Sequence, residues 1–176
     1  MQKGFFMRKK LRNKALVLVL GLALIGGITG CGKQKSNDAD ETAENITVEQ
    51  LIDEVYQNTD SSLYSNSVQT VPVDVTDKVS MNYYLGVDEL NGLENAACSE
   101  PMMSSIAHSV VALKFDNTSN ATAAAESLKQ TAPVQKWVCV EPAAITTKVV
   151  YDTYVIFSMS SVDFINNLNN MTIERR

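Results

Sequence analysis

The chain has 176 residues, 45% of them apolar and 20% charged, with 15 Lys and Arg against 20 Asp and Glu for a formal charge of −5. Six of the basic residues and none of the acidic ones lie in the first 30 positions, which leaves nine against 20 in the remainder, a formal −11 that repels phosphate and excludes nucleic acid as a partner. The same balance holds the remainder off an anionic lipid surface, apart from Lys33 and Lys35.

Residues 1–30 read as an export signal. Lys3, Arg8, Lys9, Lys10, Arg12 and Lys14 precede an apolar run from Ala15 to Ile28, and Thr29 and Gly30 then lead into Cys31. The run has 14 residues, short of the roughly 20 that a helix needs to cross a bilayer core. Met1 and Met7 are both suitable starts, because Arg8 to Lys14 alone would serve as the basic region. The tetrapeptide Ile28-Thr29-Gly30-Cys31 resembles a bacterial lipobox. That resemblance implies cleavage between Gly30 and Cys31, a diacylglyceryl group on the Cys31 thiol, and a protein anchored in the cell membrane on its extracytoplasmic face. Two acyl chains suffice for stable anchoring, since each buried methylene adds about 0.8 kcal/mol.

Residues 31–45 follow as the lipidated cysteine and a tether. The stretch "GKQKSNDADETAEN" has no large apolar residue with which to offset its ordering entropy. Its 14 residues give a typical reach of roughly 20 Å. Residues 46–171 suit one domain with its own core, and 172–176 form a C-terminal tail.

Within the domain, Val48, Leu51, Ile52 and Val55 recur at helical spacing behind Thr47 and Gln50, a capping box, and predict a helix over 48–57. The polar stretch "NTDSSLYSNS" ends it. Residues 68–75, around Pro72, predict an edge strand or an extended segment. A second helix spans Asp77 to Tyr84 and stops at Gly86. A short strand is expected over Asn95–Ser99. The best strand covers Ser104–Phe115, with Ala107, Ser109, Val111, Leu113 and Phe115 on the face fit for a core and Ile106, His108, Val110, Ala112 and Lys114 on the other. "DNTSN" turns the chain into an Ala-rich helix over 121–130, which Pro133 ends. Trp137–Val140 fits a short strand or a last turn. Ile145–Val150 and Tyr154–Met159, joined through "YDT", predict a hairpin. Ser160 or Ser161 caps a final helix with Val162, Ile165, Leu168 and Met171 inward. The order α-α-β-β-α-β-β-α lacks regular βαβ crossovers. It predicts an α+β domain, one mostly antiparallel sheet of about four strands with helices packed on one face.

Few residues offer chemistry. His108 is the one histidine, and without a fixed partner it reads as a partly buried, hydrogen-bonded ring rather than a base. The pairs Asp53-Glu54 and Asp88-Glu89 are adjacent in sequence and read as solvated faces. Cys98 and Cys139 sit among apolar or small residues and read as two buried free thiols, although export permits a bridge. "YYLG" and "EPMMSS" read as core packing before a contact patch. No nucleophile elbow, zinc motif, phosphate loop or dinucleotide fingerprint occurs, so no cofactor or metal is expected.

The run "YYLGVDELNGLENAACSEPMMSSIAHSVVALKF", a helix, and then "KWVCVEPAAITTKVVYDTYVIF" resembles a family of small Gram-positive lipoproteins that carry a domain of unknown function, DUF4358, over residues 46–170. The late hairpin turn of that family usually contains glycine, where this chain has "YDT". The resemblance implies a lipid-anchored envelope domain and supplies no catalytic residues. The functional expectation is a non-enzymatic interaction module that binds an envelope protein or cell-wall component. A small-ligand carrier, or an envelope enzyme using His108, are the alternatives. If Cys31 is the anchor, Cys31→Ala leaves the precursor uncleaved and unlabelled by radioactive palmitate in cells; labelling that persists in the variant would refute the assignment.

Overall fold

The computed structural model describes residues 46–59, 64, 67–103 and 105–173; Gly30 and Cys31, with the signal and tether, lie outside them. The elements run α1 (Val48–Asn58), β1 (Val68–Pro72), α2 (Lys78–Leu85), β2 (Leu93–Pro101), β3 (Ser109–Phe115), α3 (Thr118–Thr131), β4 (Ala144–Val150), β5 (Tyr154–Ser160) and α4 (Val162–Asn170). The strands form one sheet in the order β1-β2-β3-β5-β4, with every neighbouring pair antiparallel. This is the expected α+β class with five strands in place of about four. The added strand is β1: Pro72 lies opposite Ala97 at its end, on a sheet edge where a missing N–H is tolerated. Among these residues no helix is long and apolar enough to cross a membrane.

Helices cover both faces of the sheet, not one. Ser109 to Leu113 of β3 are all 0% exposed, so this strand is buried on both sides. Val111, Leu113, Phe115, Phe157 and Met159 pack with Met81 and Leu85 of α2 and Ala121, Ala124 and Leu128 of α3. Val110, Ala112, Tyr154 and Ile156 pack with Leu51, Ile52 and Val55 of α1 and Phe164, Ile165 and Leu168 of α4. The second face looked unfit because His108 and Lys114 share it. They lie at its two ends, however, and Lys114 reaches out to pair with Glu94 at 3.5 Å, so the residues between them are free to make a core. Each large apolar side chain buried in this way contributes roughly 1.5–3 kcal/mol.

Local signals explain the boundaries. Thr47 and Gln50 form the reciprocal cap of α1. Asn117 caps α3, which begins at Thr118, three residues before its expected start, and Ser161 caps α4. That last cap sets the phase of α4, so Phe164 turns inward and Val162, expected inward, is half-exposed. β3 starts at Ser109, five residues later than expected, and β2 extends beyond the expected Asn95–Ser99 at both ends. Trp137–Val140 is neither strand nor helix: Val134–Lys136 forms a 3-10 turn, and irregular backbone follows, with Cys139 at φ 65°. The hairpin turn places Tyr151 and Asp152 at φ 49° and 65°, the left-handed geometry that glycine supplies more cheaply.

Gly86 joins the C-terminal ends of α2 and α3. Its φ is 71°, its N–H donates to the Asn82 carbonyl, and a Cβ there would lie 1.8 Å from the Thr131 carbonyl oxygen. Gly86→Ala is therefore expected to cost about 2 kcal/mol or more, from the left-handed backbone and the collision together. A urea midpoint equal to that of the parent would show that the two helix ends are not in contact.

Candidate functional site

Polar residues concentrate at one end of the sheet, where β2 and β5 finish and β3 begins. Ser99, Ser109, Ser158, Ser160 and His108 are all 0% exposed there. Strand alternation sends them to opposite faces. Ser99, His108 and Ser160 point toward α1 and α4, while Cys98, Glu100 and Ser109 point toward α2 and the 3-10 turn.

On the first face, His108 is enclosed. Its Nε2 lies 2.9 Å from Tyr56 Oη and its Nδ1 2.7 Å from Ser160 Oγ. Tyr64 stacks on the ring at 3.8 Å between centroids, and Phe164 meets it edge-on at 4.8 Å. Tyr56 Oη is also 3.1 Å from Ser99 Oγ, and Ser160 Oγ is 3.4 Å from Tyr64 Oη. Each ring nitrogen therefore has one hydroxyl partner, and in the neutral ring one nitrogen donates while the other accepts. Burial pushes the His108 pKa down to about 3 and the Tyr56 hydroxyl well above its ordinary range. The ring is thus a neutral strut with both nitrogens engaged and no exposed surface, more deeply buried than its sequence context suggested.

On the second face, Lys136 turns inward. Its amine pairs with Glu100, and the two side chains are 3% and 18% exposed. Ser109 Oγ lies 3.4 Å from the same nitrogen. The rings of Tyr83, Tyr84 and Trp137 surround it, with centroids at 5.4, 5.7 and 4.8 Å, all within cation–π range. Cys98 Sγ is 3.5 Å from Ser109 Oγ. Burial, followed by the Glu100 charge, pushes the Cys98 thiol far above its ordinary range, so it is a packed sulfhydryl and not a nucleophile.

The other sequence candidates scatter. Cys98 and Cys139 are both free thiols, but Cys139 is exposed, contrary to expectation, because the irregular backbone after Lys136 carries it outward. Asp88 pairs with Lys78 at 3.5 Å on the surface, and Glu54 accepts from the Tyr151 hydroxyl at 3.1 Å. "EPMMSS" is not core packing: Met102 and Met103 are 75% and 62% exposed in the loop after β2. "YYLG" divides, with Tyr84 against the core and Tyr83 half-exposed. Val138 stands out beside Trp137 at 71%. Lys136 itself escaped sequence reading; its only local mark is a cation inside the otherwise uncharged "PVQKWVCV".

The described residues line surface depressions at two places away from these clusters' buried centres. One of about 330 Å³ is lined by Gln135, Trp137, Cys139, Val140 and Glu141. The other, about 260 Å³, lies between Glu89–Asn91 and α3. No group of three or more His, Cys, Asp or Glu in the described residues is placed to hold a metal. No family model matches the chain, and no curated protein or solved structure matches it.

The depressed His108 pKa has a defined sign. The unfolded chain binds a proton below about pH 6.5 that the folded ring refuses until about pH 3. Stability from this group is therefore complete above that window and falls as pH drops through it, by about 4–5 kcal/mol in all. As the only histidine, its imidazole signals are unambiguous by NMR, and they should not move between pH 8 and about 5. A midpoint near the ordinary value would mean the ring is solvated.

Proposed function

We propose that this chain is a lipid-anchored binding module on the extracytoplasmic face of the cell membrane, presenting one pole of its domain to an envelope protein or cell-wall component. A single observation carries the reading: the domain is polar in layout. The Tyr154 hydroxyl donates to the Ile46 carbonyl at 2.6 Å, so the segment that follows the tether enters beside the start of β5. Met102, Met103, Val138 and the half-exposed Tyr83 all lie toward the other end of the sheet, about 20 Å away along the seven residues of β5. The chain thus joins its tether at the first end, and these side chains lie at the other. Exposed methionine and aromatic side chains together are the composition of adaptable contact surfaces. The lipobox-like Ile28-Thr29-Gly30-Cys31, the acidic tether and the likeness to small lipoproteins support the same reading.

The test is site-specific photocrosslinking in cells, with the reactive group placed at Met102, Met103 or Tyr83 in one set and, at the opposite end of the sheet, at Glu49 of α1 or Asp152 of the hairpin turn in the other. The first set should capture one reproducible envelope component, and combined Met102→Ala, Met103→Ala and Tyr83→Ala should lower capture about tenfold or more, given the share of binding energy that a few central side chains carry. Equal capture from both sets, or capture unaffected by the triple change, counts against the module.

A further inference from the structure

A lysine at a protein surface ordinarily runs its stem along the protein and leaves its amine in water. Lys136 does the reverse, and the groups that receive it come from three separate parts of the chain: Tyr83 and Tyr84 from α2, Glu100 from β2, and Trp137 from the turn itself. Three ring faces and one carboxylate around a positive nitrogen are the set of groups that recognises ammonium ligands. A lone buried ion pair does not need them, since its attraction is largely offset by desolvation.

The lysine that fills the cage is carried by a weak element. Lys136 ends a three-residue 3-10 turn, and the backbone beyond it is irregular as far as β4. Cys139 in this stretch holds φ 65° with no glycine to ease it. The depression of about 330 Å³ opens against the same Trp137 ring, with Gln135, Cys139, Val140 and Glu141 around it. It offers room for the body of a ligand whose head enters the cage. The acidic balance of the chain draws cations toward it.

We infer that Tyr83, Tyr84, Trp137 and Glu100 form a binding site for the ammonium group of an external ligand, and that Lys136 is a built-in competitor which the ligand displaces. This deepens the proposed function by naming the ligand class, and it rests on that reading only for the pole at which the ligand arrives. Primary and quaternary ammonium groups share the required chemistry.

Trp137 is the only tryptophan in the chain, so its fluorescence reports on the cage directly. The full chain, in a non-ionic maltoside detergent, is titrated with tetramethylammonium chloride and separately with ethylammonium chloride, against sodium chloride at matched ionic strength. Removing the competitor in Lys136→Ala should give a saturable signal about tenfold or more tighter than the parent's, because the site is then open in every molecule. Adding Glu100→Gln to that variant should abolish most of the gain. In the parent protein, tetramethylammonium should raise acetylation of Lys136 by a water-soluble reagent several-fold, read by mass spectrometry, while Lys78 and Lys129 stay unchanged.

No saturable signal beyond sodium chloride in Lys136→Ala, or affinity no greater than the parent's, overturns the inference. Should that variant fail to fold, the parent's acetylation decides alone, and unchanged Lys136 reactivity overturns it. The two readings fail separately. Crosslinking through Met102 that persists while tetramethylammonium has no effect removes the ammonium site and leaves the module, and the opposite pattern removes the module and leaves the site.

Discussion

The structure depends on β3 being buried on both faces. A strand in that position cannot leave one side to water, as antiparallel sheets commonly do, so the chain must supply helices to cover it twice. It does so by alternating sides in pairs: α2 and α3 on one face, α1 and α4 on the other. The alanines of the central strands make this possible. Ala96 on one face and Ala97 and Ala112 on the other are fully buried, and their small size lets larger side chains from the helices reach the sheet without overpacking.

The same strand ties two polar clusters together. His108 and Ser109 are neighbours in sequence and serve opposite faces, one in the tyrosine-lined cluster and the other beside Lys136 and Glu100. A slip of β3 by a single residue would exchange them, burying an imidazole against the Lys136 amine and taking the hydroxyl from its partners. Buried polar groups are costly when unmatched, and no buried side-chain nitrogen or oxygen among the described residues lacks a partner. The two clusters therefore act as a register lock on a sheet whose apolar residues alone would tolerate sliding poorly but not forbid it.

Features encoded by near neighbours were legible in the sequence. The capping box at Thr47 and Gln50, the stop at Gly86, the hairpin around "YDT" and the final helix all follow from residues within one or two turns of each other. What escaped was set by distance. Tyr56 meets His108 across 52 positions and Lys136 meets Glu100 across 36, and no local spacing announces either pairing. The second buried face was misjudged for a related reason. Its two polar ends were visible in the strand pattern, but the helices that cover its middle come from opposite ends of the domain. Hydrophobicity alone favours core packing over a contact patch for the methionines of "EPMMSS"; only the position of the loop beyond the end of β2 shows them outside.

The strand order has a consequence for how the molecule comes into being. β3 lies between β2, which precedes it, and β5, which arrives only after α3 and β4 have been made. A chain emerging amino-terminus first carries its most apolar strand with one edge open until Tyr154–Ser160 are out. The cover over His108 waits longer still, for Phe164, and the carboxyl end of α4 is secured only when the Lys148 amine captures the carbonyls of Leu168, Asn169 and Met171. A shortened chain that stops before α4 therefore loses more than its last helix: it bares the part of the second face over β4 and β5 that α1 does not reach, and it leaves the His108 ring without its Phe164 neighbour, so apolar side chains of the sheet would meet water.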